Sequence, residues 1–160
     1  MGTPRIDEPL KDGSVYTRKE RPNGEVRTRM RFSDGPTASI TTQIDWIPDS
    51  ETLPWQDAHY HQGLFETYTL VRGWVYLLWI DPNVKTRCMN QRGQTITFEP
   101  GIPHLVLPGP KSMILTTTYG DSVANPDRGN NDWWPVEENF SIRAVGEKII
   151  AESIVRTMFR

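Results

Sequence analysis

Histidine is scarce in this chain, and its placement is the first sign of chemistry. The 160 residues include three histidines. His59 and His61 form an H-x-H pair, Glu66 follows shortly after them, and His104 is the third histidine. Three imidazoles and a carboxylate suit a divalent transition metal such as Fe, Mn, Ni, Co, Cu or Zn. An ion with an open position can polarise a carbonyl, steady an enediolate, acidify water or, if redox-active, activate dioxygen.

These residues must lie on strands if they are to meet at one ion. Side chains at i and i+2 of a β-strand share a face, so His59 and His61 are predicted to point the same way. Residues 65–72 continue as a strand on which Glu66, Tyr68 and Leu70 share a face. Tyr68 is therefore predicted to face the same cavity as the metal.

The spacing resembles the first motif of the cupin superfamily, G-x5-H-x-H-x3,4-E-x6-G. His59, His61 and Glu66 occupy its ligand positions. Gly73 closes the motif, while Leu53 stands where its opening glycine is expected. An H-x-H pair alone would be a weak signal, so the specificity depends on a second motif.

The second cupin motif, G-x5-P-x-G-x2-H-x3-N, is matched later in the chain. Gly93, Gly101 and His104 fall at the corresponding positions. Glu99 replaces its proline and Pro108 its asparagine. Both departures lie at turn positions, so they concern the shape of local loops more than the binding of a metal.

The resemblance implies a metal-binding cupin in which one divalent ion is held by His59, His61, Glu66 and His104. It also implies an all-β fold, the cupin-type double-stranded β-helix or jelly-roll barrel, in one domain over residues 1–160. Glu66 either only balances the charge of the ion or leaves it to act as a base. We therefore name Glu66 and Tyr68 as candidate catalytic residues.

The rest of the chain agrees with a fold of short strands. Its 12 glycines and 13 prolines separate runs rich in Val, Ile, Thr, Tyr and Trp, which is typical of a barrel or sandwich. Residues 26–32 and 39–46 alternate in polarity and are predicted to pair. Residues 74–80 are nearly all apolar and predict a strand covered on both sides. Further strands are predicted at 95–98, 104–107 and 112–119, and an amphipathic helix at about 146–160.

Substrate-binding candidates come from the alternation of these strands. Arg27, Arg29 and Arg31 share a face, and Gln43 lies among small polar residues that could face inward. The arginines either form a solvated sheet face or bind a carboxylate or phosphate through the guanidinium fork. We name Arg29 and Gln43 as the candidates for substrate binding.

Residues 121–140 are rich in Asn, Asp, Pro and Trp. Each tryptophan ring has roughly 150–250 Å² to bury, so this segment is expected to lie against the barrel or a neighbouring subunit. Trp55, Trp79, Trp133 and Trp134 are interpreted as packing residues more than as a platform for substrate.

Composition restricts the cellular context. The net charge of −2 gives no electrostatic case for binding nucleic acid or a membrane. Cys88, the single cysteine, excludes an intramolecular disulfide and is expected to be partly buried. No apolar leader occurs in residues 1–20 and no long apolar span elsewhere. We expect a soluble, cytoplasmic protein that forms a homodimer and binds a small molecule.

Three classes of function stay open at this stage. The first is a metal-dependent isomerase, epimerase or lyase acting on a small oxygenated, anionic or sugar-like compound. The second is a non-haem metal-dependent dioxygenase, and the third is a non-catalytic metal-dependent small-molecule binding protein. The chain has no room for the DNA-binding domain that a sensor usually carries, which favours an enzyme.

Overall fold

The computed structural model describes residues 11–43 and 53–136. Within these ranges the chain forms short strands and one turn of 3-10 helix. The predicted helix at 146–160 and the end of the strand at 39–46 lie outside the described residues. The strands are β1 (Val15–Glu20), β2 (Glu25–Arg31), β3 (Thr37–Gln43), β4 (His59–Tyr60), β5 (Leu64–Arg72), β6 (Val75–Asp81), β7 (Asn83–Met89), β8 (Thr95–Phe98), β9 (His104–Pro108), β10 (Met113–Gly120) and β11 (Trp134–Pro135), and the 3-10 helix is Pro126–Arg128.

The strands form two antiparallel sheets. The first has the order β1-β2-β3-β10-β5-β8 and the second the order β11-β4-β9-β6-β7. Neighbours such as β3 and β10 are far apart in sequence, so strand pairing within a sheet joins distant segments of the chain. The predicted all-β, cupin-type architecture is confirmed for the described residues.

The predicted pairing of the two alternating segments is also confirmed. Strands β2 and β3 pair with Arg29 opposite Ser39. The turn before β2 contains Gly24, whose φ of 86° lies in the left-handed region that glycine adopts without steric cost. Arg27 and Arg29 line a cavity on the inner side of the first sheet.

Strand β6 is buried on both faces, as its apolar run predicts. Val75 and Leu77 belong to a cluster between the two sheets, whereas Tyr76 and Leu78 belong to a second cluster on the outer side of their sheet. Each fully buried side chain of this size stabilises the fold by about 1.5–3 kcal/mol. The outer cluster also contains Trp55 and Ala58, so the segment that leads into His59 is anchored by apolar packing.

Cys88 differs from its expected state. It lies on β7, the edge strand of the second sheet, and is exposed. Six of the seven residues of β7 are exposed, since no neighbouring strand covers this edge. Across the described residues, none of the secondary structure is an apolar helix that could span a membrane.

Candidate metal centre

The four predicted ligand residues come together between the two sheets. His59 lies on β4 directly opposite His104 on β9, and Glu66 lies on β5. The ligand atoms of these three residues and of His61 all lie within 4.8 Å of one another, and all four side chains are buried. Oε2 of Glu66 lies 3.2 Å from Nε2 of His59, 3.1 Å from Nε2 of His61 and 2.7 Å from Nε2 of His104.

Each imidazole is oriented by its other nitrogen. Nδ1 of His59 contacts the carbonyl oxygen of Asp57 at 2.9 Å, and Nδ1 of His104 contacts that of Ile102 at 2.9 Å. Nδ1 of His61 contacts the carbonyl oxygen of Asp132. A carbonyl oxygen can only accept, so in each ring Nδ1 carries the proton and donates it. The lone pair of a neutral ring therefore lies on Nε2 and points at Glu66.

The pKa values of the ligand residues indicate which of them are charged at neutral pH. Burial, reinforced by His104, lowers the pKa of His59 to about 4. Burial also opposes a charge on Glu66, but the contacts with His104, His59 and His61, which favour the carboxylate whenever a ring is protonated, outweigh it and hold its pKa well below the usual range. For His61, burial is likewise outweighed by the hydrogen bond to Glu66, and the pKa is raised.

This donor set fits a divalent cation. At neutral pH the Nε2 of His59 carries no proton, so a nitrogen lone pair faces a carboxylate oxygen across 3.2 Å. Two acceptors at this distance repel each other unless a cation lies between them. The residues that would hold the ion are His59, His61, Glu66 and His104, each oriented by a partner beyond the metal.

Asp132, about 70 positions further along the chain, stabilises the turn between His61 and β5 through hydrogen bonds. The carboxylate of Asp132 accepts hydrogen bonds from the backbone N–H of Gln62, Gly63 and Leu64 at 2.8, 2.8 and 3.1 Å. It also accepts from the N–H of Val123 at 3.1 Å and from the indole N–H of Trp134 at 3.0 Å. Burial opposes the charge of Asp132, but these bonds outweigh it and lower its pKa. Asp132 therefore fixes both the turn and, through its carbonyl oxygen, the ring of His61.

Glycine is required at two points of this arrangement. A Cβ at Gly63 would overlap the backbone oxygen of Asp121, so only glycine allows the two segments to approach. Gly101 has a φ of 84°, and its N–H donates to the carbonyl oxygen of His61 at 2.7 Å. The glycine of the second motif thus joins the two halves of the metal centre.

The segment after β10 covers the metal centre. Over residues 121–136 it lies against the barrel, as predicted for its tryptophans. Trp133 stacks on His59 with a centroid distance of 5.4 Å and an interplanar angle of 19°. The guanidinium carbon of Arg128 lies 4.6 Å from the centre of the Trp133 ring. Trp133 also lines the cavity beside the metal centre, so it is both a packing residue and part of the wall that a ligand would meet.

A cavity of about 280 Å³ opens next to the four ligand residues. Its wall is mainly polar and consists of cationic, hydroxyl-bearing and acidic side chains together with a few apolar ones. The lining residues are Arg21, Arg27, Arg29, Gly35, Thr37, Ser39, Gln56, Asp57, His59, His61, Leu64, Glu66, Tyr68, Thr116, Thr118, Arg128, Asn131, Asp132 and Trp133.

The arginines of this wall differ in their partners. Arg27 lies 3.2 Å from the carboxylate of Glu25, and Arg21 lies 3.8 Å from the same group. Arg29 has no ion pair among the described residues, and its buried Nε has no hydrogen-bond partner there. Burial, and then the charge of Arg27, lower the pKa of Arg29 to about 10, so it stays charged at neutral pH. Arg29 is therefore a charged wall residue without an ion pair. Arg128 also has none among the described residues, but it lies over the ring of Trp133.

The other predicted site residues have different outcomes. Tyr68 lines the cavity, where burial and the charge of Glu66 raise its pKa well above the usual range. Gln43 does not line the cavity: its side chain is buried and its Nε2 donates to the carbonyl oxygen of Asn23 at 2.9 Å. Strand alternation allowed Gln43 to face inward, as it does, but at its end of β3 the inner side is occupied by the 21–25 turn.

Sequence reasoning missed two contributors to the site. Asp132 had a detectable signal, because a run of Asn and Asp residues beside two tryptophans is unusual for a solvent-exposed loop. Arg21 had none, since it precedes a Pro-Asn-Gly turn and belongs to no alternating strand. Its place in the wall depends on how that turn folds back toward Asp57, 3.9 Å away.

Comparison with solved structures identifies the fold. The capsular polysaccharide assembling protein CapF from Staphylococcus aureus aligns with a TM-score of 0.54 and 13% identity over 76% of this chain and 34% of that chain. A mutant of Bacillus subtilis oxalate decarboxylase aligns with a TM-score of 0.55 and 10% identity over 76% and 30% of the two chains. A further structure of that decarboxylase, a protein with Mn(II) centres, aligns at 0.54 and 12% over 77% and 30%.

This chain therefore spans about a third of the length of the structures that it matches. No family model and no curated protein matches it. The fold is that of the cupin superfamily. With its buried group of three histidines and a glutamate, the protein fits the metal-binding cupins.

Proposed function

We propose that this protein is a mononuclear metal-dependent cupin enzyme of the isomerase, epimerase or lyase type, acting on a small oxygenated, anionic or sugar-like compound. The observation that carries the proposal is the position of the four ligand atoms. They converge on one point beside a cavity whose wall holds an unpaired arginine. A closed structural site would have no such space for a substrate.

A divalent ion in this centre would supply Lewis acidity toward a carbonyl oxygen. The residues of the chain supply the remainder. Arg29 would hold an anionic group through its guanidinium fork, and the phenol of Tyr68 would donate or return a proton at the cavity wall. The imidazoles contact Oε2 of Glu66, which leaves Oε1 as the oxygen through which Glu66 would accept a proton.

Removal of the Tyr68 hydroxyl tests this assignment. We expect Tyr68→Phe to keep its metal content and fold, because the ring still packs against Phe98 and His104. Its turnover should fall by about 10²–10⁴-fold, the usual contribution of a positioned proton donor. The measurement is NMR in D2O under argon, which follows deuterium uptake at the carbon beside a carbonyl in a set of small hydroxy and keto acids. Wild-type rates in the Tyr68→Phe variant would contradict the role of the phenol.

A dioxygenase is the second candidate, because three histidines and a glutamate also suit redox-active iron or manganese. The same experiment separates the two. Substrate conversion that occurs in air and stops under argon would replace the isomerase proposal by an oxygenase. Binding of substrate with no conversion under either condition would leave a metal-dependent binding protein.

We also propose that the protein assembles as a homodimer through its sheets. Support comes from large apolar side chains exposed on strands of the first sheet, with Ile40 45% and Tyr119 51% exposed. Light scattering over a wide concentration range tests this proposal. A constant mass near the 18.4 kDa of one chain would contradict it.

A further inference from the structure

The charges around the cavity define the ligand more closely than the metal centre does. Four arginines line the cavity, and the carboxylates of Asp57, Glu66 and Asp132 line it with them. Glu25 lies behind the wall, fully buried beside Arg27. Four positive charges and four negative charges give zero, since the histidines are counted as neutral. A divalent ion raises this total to about +2, so a dianion would neutralise the cavity.

The two excess positive charges lie at different places. One is at the metal centre, where an ion of charge +2 meets the single carboxylate of Glu66. The other is Arg29, because Arg21 and Arg27 lie within 3.9 Å of the two carboxylates of Glu25 and Asp57. Arg128, whose guanidinium lies over the Trp133 ring, balances Asp132 in this count. Glu25 is held in turn by Nε2 of Gln56, which donates to its Oε1 at 2.7 Å. A ligand that matches this distribution carries one negative charge at each end.

The register of the first sheet connects the two ends. Arg29 lies opposite Ser39, Ser39 opposite Thr116, and Thr116 opposite Tyr68. These four residues form one row across β2, β3, β10 and β5, and all of them line the cavity. Neighbouring strands are about 4.8 Å apart, so the row spans about 14 Å between its outer Cα atoms. The long side chains of Arg29 and Tyr68 reduce the space between the ends to that of a small molecule.

Hydroxyl groups occupy the middle of this row. In the next row, Thr37 and Thr118 bond to each other at 3.0 Å between their hydroxyl oxygens. Ser39 and Thr116 are thus the hydroxyls offered to a ligand, between the anion anchor and the reacting end. They can donate to a hydroxyl or keto oxygen in the middle of a chain and accept from a hydroxyl.

We infer that the cavity binds a small aliphatic diacid with a hydroxyl or keto group between its two carboxylates. One carboxylate meets Arg29, the central oxygen meets Ser39 and Thr116, and the other end meets the metal centre beside Tyr68. The volume of about 280 Å³ equals that of about nine water molecules in the liquid, and a ligand of about four to six carbons fits this space. This inference rests on the proposed function only in requiring that the centre holds an ion.

The arrangement disfavours a sugar phosphate. A phosphate group places both negative charges at one end, whereas the excess positive charge is divided between Arg29 and the metal centre. Arg29 can bind a phosphate as readily as a carboxylate. The cavity therefore distinguishes a diacid from a sugar phosphate by where the second negative charge of the ligand lies.

Calorimetry with simple probes tests the inference. The probes are malate, succinate, glycerol 3-phosphate and erythritol, titrated into the protein loaded with one divalent metal. We expect malate to bind more tightly than succinate, because succinate lacks the central hydroxyl, and both to bind more tightly than the other two. Arg29→Gln should weaken the binding of malate about ten- to a hundredfold. Arg29→Lys keeps the charge but not the guanidinium fork, so its affinity for malate should lie between those of the wild type and Arg29→Gln.

Two further variants test whether the ligand binds along the row of Arg29, Ser39, Thr116 and Tyr68. Arg31→Gln is the matched control, since Arg31 lies two residues further along β2 and does not line the cavity. It should change malate binding less than about twofold. Ser39→Ala with Thr116→Val should remove the preference for malate over succinate while succinate still binds. The loss from Arg29→Gln should persist in metal-free protein, where binding is weaker overall.

Three results would overturn the inference: unchanged malate affinity in Arg29→Gln, equal weakening of malate and erythritol by that variant, or tighter binding of glycerol 3-phosphate than of malate. The proposed function fails in a different way. If the probes bind as expected and no compound of this class is converted, the diacid site stands and the enzyme assignment does not. If a neutral compound is converted and no diacid binds, the reverse holds.

Discussion

Two halves of the interior between the sheets are built from the same strands and have opposite character. On β5 the inward residues change from Glu66 and Tyr68 to Leu70, and on β10 they change from Thr116 to Ile114. The apolar half is a cluster of fully or almost fully buried side chains, whereas the polar half holds the ligand residues, hydroxyls and arginines. One step of two residues along a strand separates a core position from a site position.

The apolar half of the interior explains how the fold can bury the polar groups of the other half. Burial of charged and unpaired polar groups costs free energy, and the buried Nε atoms of Arg27 and Arg29 have no partner among the described residues. The apolar half supplies the stability that offsets this cost, and a bound ion would add to it. We therefore expect substitutions in the polar half to change ligand binding and those in the apolar half to change stability.

The largest effect is expected from removal of metal ligands. The double variant His59→Ala/His61→Ala should lose stoichiometric metal, because water does not replace two imidazoles at equal affinity. At a metal concentration a thousand times Kd, the ion stabilises the folded wild type by about 4 kcal/mol. A chelator should therefore lower the Tm of the wild type and leave that of the variant unchanged.

Elemental analysis and thermal unfolding check this prediction. His104→Ala alone should give a smaller loss in the same direction. One metal per chain in the double variant would show that the ion is held elsewhere.

The next effect in size concerns the apolar half. Leu77 is fully buried in the cluster between the sheets, so Leu77→Ala should destabilise the fold by about 2–5 kcal/mol. Urea denaturation measures this loss, and the metal content of the folded fraction should stay at the wild-type level. Val84→Ala, at a residue 42% exposed, is the control and should change stability by less than about 0.5 kcal/mol. A loss of metal in Leu77→Ala would mean that the two halves are coupled.

The smallest effect is expected at the boundary, where Asp132 joins the ligand turn to the covering segment. Asp132→Asn keeps the size of the side chain and removes the charge that the backbone N–H groups meet, which should cost about 1–3 kcal/mol. The folded state lowers the pKa of Asp132 below its ordinary 3.8. Its contribution is therefore complete above that value and is lost as the pH falls through the folded-state pKa.

Denaturation of the wild type and Asp132→Asn at several pH values tests this prediction. The two proteins should differ at neutral pH and converge in acid. A difference that persists unchanged in strong acid would assign the effect to packing.

The ligand residues and the fold could be predicted from sequence because both depend on local spacing. His59 lies on β4, His61 directly after it and Glu66 near the start of β5, so the three ligands come from one short segment of the chain. On β5 the period of two fixes the face of Glu66. Arg29 and Gln43 show the limit of the same rule. Strand alternation left open whether Arg29 faces solvent or the interior and allowed Gln43 to face inward. Both face inward, but only the fold decides which part of the interior lies opposite each of them.

Contacts between distant segments could not be predicted in the same way. Asp132 reaches the turn at 62–64 across the molecule, and Trp133 stacks on His59 from the same segment. No periodicity links such residues, because their pairing is set by how the covering segment closes over the barrel. Arg21 joins Asp57 across 36 positions in the same way, whereas the pairing of Arg27 with Glu25, two residues apart on β2, follows from strand alternation.

The position of Asp132 in the chain has a consequence for how the protein is made. A ribosome adds about 5–20 residues per second from the N-terminus, so all four ligand residues emerge before the residue that orients His61. For a short time the nascent chain has the imidazoles and the carboxylate of the metal centre without the contacts that Asp132 makes to orient them. An unrestrained set of this kind selects ions by intrinsic affinity and availability, with copper and zinc ahead of manganese and iron. We therefore expect the ion acquired during synthesis to reflect the growth medium, and the ion chosen by the closed site to emerge only when metal is offered to protein that has already folded.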